Sequence, residues 1–188
     1  MEQNWSARLR QGDEDALCEI IRQRTGYVST ILRNFSRSTL PPEDLEELVQ
    51  LFYETVHTVN LGDYTRRETD VWAPSPAAMD RAAWGESLSA HDTVVAEREG
   101  QLLCFGDMDA TGYFDRLYVH REFQGRGAAS AIAEALEGYA LGLGLGRVTV
   151  HASRTARPFF QRRGYKTLYA QQVERRGVWL TNYVMGKK

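Results

Sequence analysis

The stretch that most constrains the fold of this chain runs from Phe114 to Tyr139 and has the sequence FDRLYVHREFQGRGAASAIAEALEGY. It predicts an apolar strand, a glycine-rich turn and an amphipathic helix, in that order. The turn QGRGAA, residues 124–129, has small or absent side chains, so a ligand can approach the backbone N–H groups at the start of the helix. The turn indicates an anion site, although a role in packing alone is an equally good interpretation of its glycines.

The helix after this turn carries a predicted buried stripe, because apolar residues recur at spacings of four and three. The positive end of the helix dipole then faces whatever the turn holds. The stripe consists of Ala128, Ile132, Leu136, Tyr139 and Leu143.

The length and the net charge of the chain limit its possible domain number and partners. At 188 residues, the chain is long enough for one well-cored domain and an appendage. Its formal net charge of −2 gives no electrostatic case for binding nucleic acid or an anionic membrane, so we expect neither partner.

Cys18 and Cys104 lack the spacing of a metal site, and we expect two buried free thiols and no metal. No signal peptide or run of 18 apolar residues is present, which predicts a cytoplasmic protein.

The first part of the chain has helical periodicity. Residues 13–24 form one predicted helix, and a second run places Val28, Ile31, Leu32 and Phe35 in phase. Thr39 to Pro42 then breaks the chain. Residues 43–60 give the clearest helix of this half, ended by Asn60 to Gly62.

From Asp92 onward the period changes to that of strands. We predict strands at 93–96, 102–106, 113–119, 147–151, 165–173 and 178–185, with helices at 128–143 and 155–163. This order favours the α/β (α+β) class, a mixed and mainly antiparallel sheet flanked by helices, with an extra N-terminal helical segment.

Two motifs together resemble the GNAT superfamily of acyl-CoA N-acyltransferases. The first is the pattern Q-x-x-G-x-A at 124–129 after Leu117-Tyr118-Val119, and the second is A-S-x-x-A-x-x-F-F-x-x-x-G-Y at 152–165. The resemblance covers residues 43–188 and implies transfer of an acetyl group from acetyl-CoA to a primary amine of a small molecule or protein. In that family a strand precedes the first helix, at about residues 30–38. Either this strand is absent here, or the segment is a strand despite its helical period.

The resemblance also implies which residues bind coenzyme A. The main chain of the strand end contacts the pantetheine arm, the glycine turn holds the pyrophosphate, and the second motif lies beside the thiol. These residues are Leu117, Tyr118, Val119, Gln124, Gly125, Arg126, Gly127, Ala128, Ala129, Ser153, Phe159 and Phe160.

The catalytic groups are less defined. Asp115 is a candidate general base or water-positioning residue, and a salt bridge to Arg116 is an equally good interpretation. His57 is an alternative base or a structural histidine. Many members of the family carry a tyrosine general acid at the position of Phe160, so protonation of the thiolate by water or by the product ammonium stays open. Asn60, Tyr64 and Trp72 are expected to frame the acceptor pocket, with core packing as the other role for Trp72.

A second resemblance concerns residues 12–50, which are similar to the start of region two of extracytoplasmic-function sigma factors. We therefore divide the chain into an N-terminal helical segment, 1–42, and an acetyltransferase domain, 43–188. An alternative function follows, that of a non-catalytic sensor of coenzyme A that contacts RNA polymerase through this segment. The closing strand pair could also join two copies in a homodimer.

Overall fold

The computed structural model describes residues 30–34 and 40–188, and within these ranges seven strands form one sheet. Their order across the sheet is β1-β2-β3-β4-β5-β7-β6, and every neighbouring pair is antiparallel except β4 with β5. The strands are β1 (Thr30–Asn34), β2 (Asp92–Arg98), β3 (Gln101–Met108), β4 (Tyr113–Val119), β5 (Val148–Ser153), β6 (Lys166–Arg175) and β7 (Val178–Lys187).

Helices cover both faces of this sheet. They are α1 (Pro42–Thr58), α2 (Arg66–Trp72), α3 (Arg81–Ala90), α4 (Ala128–Gly142) and α5 (Arg157–Arg162), with 3-10 turns at Asn60–Gly62, Pro76–Ala78 and Arg121–Phe123. Among the described residues, no helix has both the length and the apolar character needed to cross a membrane. The predicted mixed, mainly antiparallel sheet with flanking helices is confirmed.

Of the two alternatives for the segment before the first helix, the second holds at residues 30–34, which form a strand despite their helical period. This segment is β1, whose residues pair with β2 from Thr30 opposite Arg98 to Asn34 opposite Val94. Pairing with a sheet edge overrides local periodicity, because each strand residue there gains ladder hydrogen bonds. A strand at residues 30–34 also differs from the prediction that the sigma-like segment at 1–42 is helical. The helix at 13–24, Cys18 and the parts of that resemblance at 12–29 and 35–39 fall outside the described residues, its last residues lie in α1, and the domain boundary near residue 42 stays a prediction.

Helix α1 follows its predicted pattern. Pro42 lies in its first turn with Glu43 and Asp44, which complement the positive helix end. Leu48, Phe52 and Val56 are buried at intervals of four residues, so one face of α1 packs against the sheet. With α2 and α3, this face forms one of two apolar cores.

The other core lies between the sheet and α4. Its helix contribution is mostly alanine, and these small side chains allow a close approach: a Cβ placed on Gly106 of β3 would lie 2.8 Å from Cγ2 of Ile132. The predicted buried stripe of α4 is wrong at its C-terminal end, because Leu143 is 46% exposed and Tyr139 is only half-buried. Helix α4 ends at Gly142, so residue 143 no longer follows the helical period. The buried free thiol of Cys104 lies in this core, as predicted.

Candidate active site

Strands β4 and β5 separate soon after they meet. They pair in parallel only at Tyr113 with Thr149 and at Phe114 with Val150. Asp115 is an extra residue at this point, because Arg116 pairs with Asp107 while Phe114 pairs with the next residue of β3. Such a bulge bends the strand and redirects a side chain. A gap therefore opens between the ends of β4 and β5, with Asp115 at its origin.

The β4 backbone presents polar groups to this gap. The amide of His120 donates to the carbonyl of Leu103 at 2.8 Å, which places that residue pair on the hydrogen-bonded positions of the β3–β4 ladder. Because alternate residues of a strand direct their N–H and C=O groups to opposite edges, those of Leu117 and Val119 face away from β3. The Val119 carbonyl accepts from Nε2 of Gln124 at 2.7 Å, which fixes the start of the turn beside the gap.

The glycine turn has the conformation that its sequence requires. Gly125 and Gly127 have φ angles of 70° and 90°, in the left-handed region that residues with a Cβ rarely adopt. Gly127 is the N-cap of α4, and no side chain caps the helix there. The first N–H groups of α4 consequently remain available for an anion at the positive end of the helix.

One cavity of about 1260 Å³ joins the gap to the turn. It brings together most of the residues that the sequence predicted for the site. These are Asn60, Tyr64, Trp72, Asp115, Leu117, Tyr118, Val119, Gln124, Gly125, Gly127, Ala128, Ala129, Ser153, Phe159 and Phe160. Two predicted residues do not line it: Arg126 lies over the Phe123 ring at 5.4 Å, and His57 lies on another face of α1.

The contacts of His57 are those of a structural histidine. Its Nε2 atom hydrogen-bonds the carbonyl oxygen of Ala73 at 2.9 Å, and its ring packs on Tyr53 with centroids 4.3 Å apart. Its Nδ1 atom lies 3.7 Å from the Asp70 carboxylate. This arrangement ties α1 to the end of α2 and directs both nitrogens away from the cavity.

Asn60 and Tyr64 hold the cavity wall together. The side-chain amide of Asn60 donates to Oγ1 of Thr155 at 3.1 Å, so the end of α1 is fixed to the loop before α5. The Tyr64 hydroxyl donates to the Thr181 carbonyl at 2.8 Å and accepts from the Arg154 amide at 2.8 Å. Burial raises the pKa of Tyr64, with the Arg154 amide opposing that rise.

Aromatic rings form the remaining wall on the side of α1 to α3. Phe52 contacts Trp84 and Tyr118 with centroids 5.0 and 4.8 Å apart, and Tyr64 contacts Trp72 at 5.2 Å. The Trp72 side chain donates a hydrogen bond to the Tyr118 hydroxyl, whose pKa is raised chiefly by burial. Trp72 thus contributes to both the cavity wall and the apolar packing.

A network of charges underlies Asp115. The Arg116 guanidinium lies 4.9 Å from the centre of the Trp84 ring, 2.8 Å from Oδ2 of Asp107 and 3.3 Å from Oδ2 of Asp115. The salt bridge that the sequence offered as the other role of Asp115 is therefore formed, and the carboxylate still keeps 30% of its side-chain surface exposed in the cavity.

The network continues inward from Arg116. Asp107 is fully buried and its Oδ2 atom also contacts Nδ1 of His91 at 2.5 Å. Burial raises the pKa of Asp107, and the contacts with His91 and Arg116 oppose that rise. The hydrogen bond to Asp107 raises the pKa of His91, against the effect of burial.

His91, Asp107 and Asp115 place three potential metal-ligand atoms within 4.8 Å of one another. Two cationic partners, Arg116 and His91, already contact the same Asp107 oxygen, so the group has the composition of an ion-pair network. The absence of a resident metal stays a prediction.

Comparison with known proteins decides the family. A family model described as an acetyltransferase (GNAT) domain matches residues 60–187. The chain belongs to the GNAT acetyltransferase family. The uncharacterised N-acetyltransferase YafP of Escherichia coli (strain K12) is 32% identical to this GNAT protein over 157 residues, which cover 84% of the chain and 98% of YafP.

Solved structures agree with this assignment. A GCN5-related N-acetyltransferase from Rhodopseudomonas palustris is 31% identical, with a TM-score of 0.76 over 85% of this chain and 95% of its own. The PaiA N-acetyltransferase of Thermoplasma acidophilum, solved in complex with coenzyme A, is 17% identical with a TM-score of 0.64, over 86% of this chain and 99% of its own, and shows the shared fold.

The second GNAT motif lies on the β5 side of the cavity. The Ser153 hydroxyl oxygen accepts from the Ala156 amide at 3.0 Å and so shapes the turn into α5. Phe160 is 2% exposed, with ring centroids 5.5 Å from Phe114 and 5.0 Å from Tyr165. The side chain at the usual tyrosine position therefore belongs to the apolar core and offers no proton.

Several residues at this GNAT site were not predicted from the sequence. His91 directly precedes β2 and Asp107 lies in β3, and only the pairing of β2, β3 and β4 places both beside Asp115. Arg175 and Arg176 reach the cavity from the turn between β6 and β7. A pattern confined to neighbouring residues carries no signal for such contacts.

Proposed function

We propose that this GNAT protein transfers the acetyl group of acetyl-CoA to a primary amine through direct attack of the amine in the gap between β4 and β5. One observation carries the proposal: the divergent strands and the left-handed glycine turn at the uncapped start of α4 line one continuous cavity. A long, bent co-substrate with an anionic middle fits this combination of an open strand edge and a helix N-terminus.

For coenzyme A we propose main-chain contacts. The N–H and C=O groups of Leu117 and the N–H group of Val119, which face the gap, would bond the pantetheine arm. The amides of residues 125–129 would bond the pyrophosphate, with the left-handed Gly125 and Gly127 giving it access to the backbone. Tyr118 turns its backbone toward β3, so it enters the site through its side chain. Ser153 and Phe159 would flank the thiol end from the β5 side.

Asp115 is the proposed base. An alkyl ammonium has a pKa near ~10.4 and must lose a proton before its nitrogen can attack a thioester carbonyl. Asp115 accepts this proton, directly or through one water, and the free amine then forms the nitrogen–carbon bond as the carbon–sulfur bond breaks. Since Phe160 has no hydroxyl, we propose that the departing thiolate takes a proton from water or from the product ammonium. Arg116 orients Asp115 through their salt bridge.

The acceptor would enter from the side of α1 and α2. Asn60, Tyr64 and Trp72 line this part of the cavity, and their hydrogen bonds to neighbouring elements make the wall rigid. A rigid wall orients the amine nitrogen relative to the thioester, which supplies much of the rate enhancement in a two-substrate reaction. His57 has no part in this proposal, because its Nε2 atom is bonded to Ala73.

The test is release of free thiol from acetyl-CoA in the presence of primary amines, spanning small amines and lysine-containing peptides, with mass spectrometry of the product. We expect at least one amine class to gain a single acetyl group. Tight binding of acetyl-CoA without transfer to any amine would contradict the catalytic proposal and favour the sensor alternative. The cytoplasmic location and the homodimer remain predictions from the sequence.

A further inference from the structure

Two arginines extend into the cavity from a tight turn. Arg175 ends β6 opposite Val178 of β7, and Arg176 and Gly177 form the two-residue turn between them. Both turn residues have positive φ angles, 51° and 76°, as expected for this type of hairpin. The short turn fixes the backbone from which both side chains start, and both residues line the cavity while remaining exposed.

Most other charged groups of the cavity already have partners. Asp80 accepts a hydrogen bond from the Ala83 amide at 3.0 Å as the cap of α3, and Glu174 accepts from the Gly177 amide at 2.8 Å. Arg116 is held by Asp107 and Asp115. Within residues 40–188, by contrast, no ion pair is formed by Arg175 or Arg176.

Tyr118 lines the same cavity, and its ring contacts Phe52. Its hydroxyl accepts a hydrogen bond from Trp72, and burial raises its pKa, so at neutral pH it is a neutral group with its own hydrogen left to donate. Arg175 is one of the charges that act on this hydroxyl, together with Arg116 and Asp115. Arg175 and Tyr118 line the same cavity, whose wall also includes Phe52 and Trp84.

We propose that Arg175 forms an anion subsite of the acceptor pocket, and that the acceptor is an amine carrying a second, anionic group such as a carboxylate. This inference rests on the proposed acetyl transfer, because it assigns the acceptor end of the same cavity. The anionic group binds at Arg175, the apolar body contacts the aromatic wall, and the amine is directed to Asp115. Arg176 adds positive charge at the mouth.

The chain offers a matched control for Arg175. Arg98 likewise ends a strand directly before a two-residue turn, Glu99 and Gly100, whose φ angles of 54° and 75° match those of Arg176 and Gly177. Arg98 does not line the cavity. Arg175→Gln and Arg98→Gln thus remove the same charge from the same kind of hairpin, inside and outside the proposed subsite.

The first experiment needs no turnover. The protein, saturated with coenzyme A, is titrated with phenylacetate and with its neutral analogue phenylacetamide at constant ionic strength, while tryptophan fluorescence is followed. We expect phenylacetate to bind at least about tenfold more tightly, as a charge-assisted contact predicts, and Arg175→Gln but not Arg98→Gln to abolish the difference. Equal binding of the two probes, or a preference that survives Arg175→Gln, would overturn the subsite.

A second experiment separates this inference from the proposed function. The Kd of acetyl-CoA is measured by calorimetry for both variants, and we expect neither to change it by more than about twofold. Loss of acetyl-CoA binding in Arg175→Gln would place the arginine at the cofactor and overturn the acceptor assignment. Absence of acetyl transfer in every variant, with the phenylacetate preference intact, would instead count against catalysis while leaving the anion subsite supported.

Discussion

The Nδ1 atom of His91 lies 2.5 Å from Oδ2 of Asp107, a fully buried carboxylate that also accepts a hydrogen bond from Arg116. This contact joins the start of β2 to β3 and, through Arg116, to the bulge that carries Asp115. The site therefore rests on a charged network inside the sheet, and the stability of the sheet and the position of Asp115 depend on the same residues.

Replacement of His91 should have a pH-dependent effect. Its pKa is raised in the folded state, so its contribution to stability is complete below the unfolded pKa of about 6.5 and is lost as pH rises through the folded value. We expect His91→Gln to lower the free energy of unfolding by about 1–3 kcal/mol at pH 5.5, the range for hydrogen bonds to charged groups, and by less at pH 9. Urea denaturation at both pH values measures this, and a deficit that grows with pH would be inconsistent with the network.

Replacement of Asp107 should be far more damaging than loss of a surface partner. Asp107→Asn leaves the Arg116 charge without its buried counterion, which should cost about 3–5 kcal/mol of unfolding free energy. Arg81 and Glu46 supply the control, because this pair has a similar contact of 2.8 Å but an exposed carboxylate. Glu46→Gln should lower the unfolding free energy far less, because solvent screens this ion pair. Similar losses in the two variants, measured by urea denaturation, would show that burial of Asp107 is unimportant.

The contact between β3 and α4 gives a third prediction. A Cβ at Gly106 would lie 2.8 Å from Cγ2 of Ile132 and 2.9 Å from the Arg116 carbonyl, so Gly106→Ala forces the helix or β4 to move. We expect a loss of about 1–3 kcal/mol, typical of overpacking. In Gly146→Ala the new Cβ meets nothing within 4 Å, and the unfolding free energy should change by less than about 0.5 kcal/mol. A neutral Gly106→Ala would contradict the close packing of α4.

Replacement of the two candidate bases, Asp115 and His57, should have opposite effects on activity and stability. Asp115→Asn should lower kcat/KM by roughly 10²–10⁴-fold, the usual contribution of a general base, and leave the Kd of acetyl-CoA unchanged. His57→Gln should lose the hydrogen bond to Ala73 and about 1 kcal/mol of stability, with kcat changed by less than about threefold. Steady-state kinetics and thermal unfolding of both variants decide the matter. The reverse pattern would make His57 the base.

The sequence predicted the parts of this protein that depend on neighbouring residues. The turn at 124–129 and the start of α4 follow from local chemistry, because glycine positions and periodicity directly restrict the backbone. The resemblance to GNAT enzymes then supplied the proposed role of Leu117 and Val119 in binding the pantetheine arm. The divergence of β4 from β5 leaves the edge of β4 open at these residues.

Other features depended on contacts between distant residues. Residues 30–34 have a helical pattern but form a strand, since β2 offers them a free edge. Helix α3 was not predicted, and its apolar face is short, with Leu88 its fully buried residue. The contact of His91 with Asp107 arises only when β2 and β3 pair, and Arg175 and Tyr118 line one cavity only when the whole sheet has formed. Such contacts have no signature within a single segment.

The central claim is that the left-handed glycine turn before α4 binds acetyl-CoA. Gly125 and Gly144 have nearly the same φ, 70° and 74°, and a Cβ at either meets nothing within 4 Å, but only Gly125 lines the cavity. Substitution by glutamate therefore introduces equal strain and equal charge at both positions.

The most direct measurement is calorimetric titration of acetyl-CoA into the wild-type protein, Gly125→Glu and Gly144→Glu. We expect binding to the wild type and to Gly144→Glu with Kd values within about threefold, and a loss of at least about a hundredfold in Gly125→Glu, where the new carboxylate repels the pyrophosphate. Equal affinity of the two variants, or no binding to the wild type at millimolar acetyl-CoA, would contradict the account.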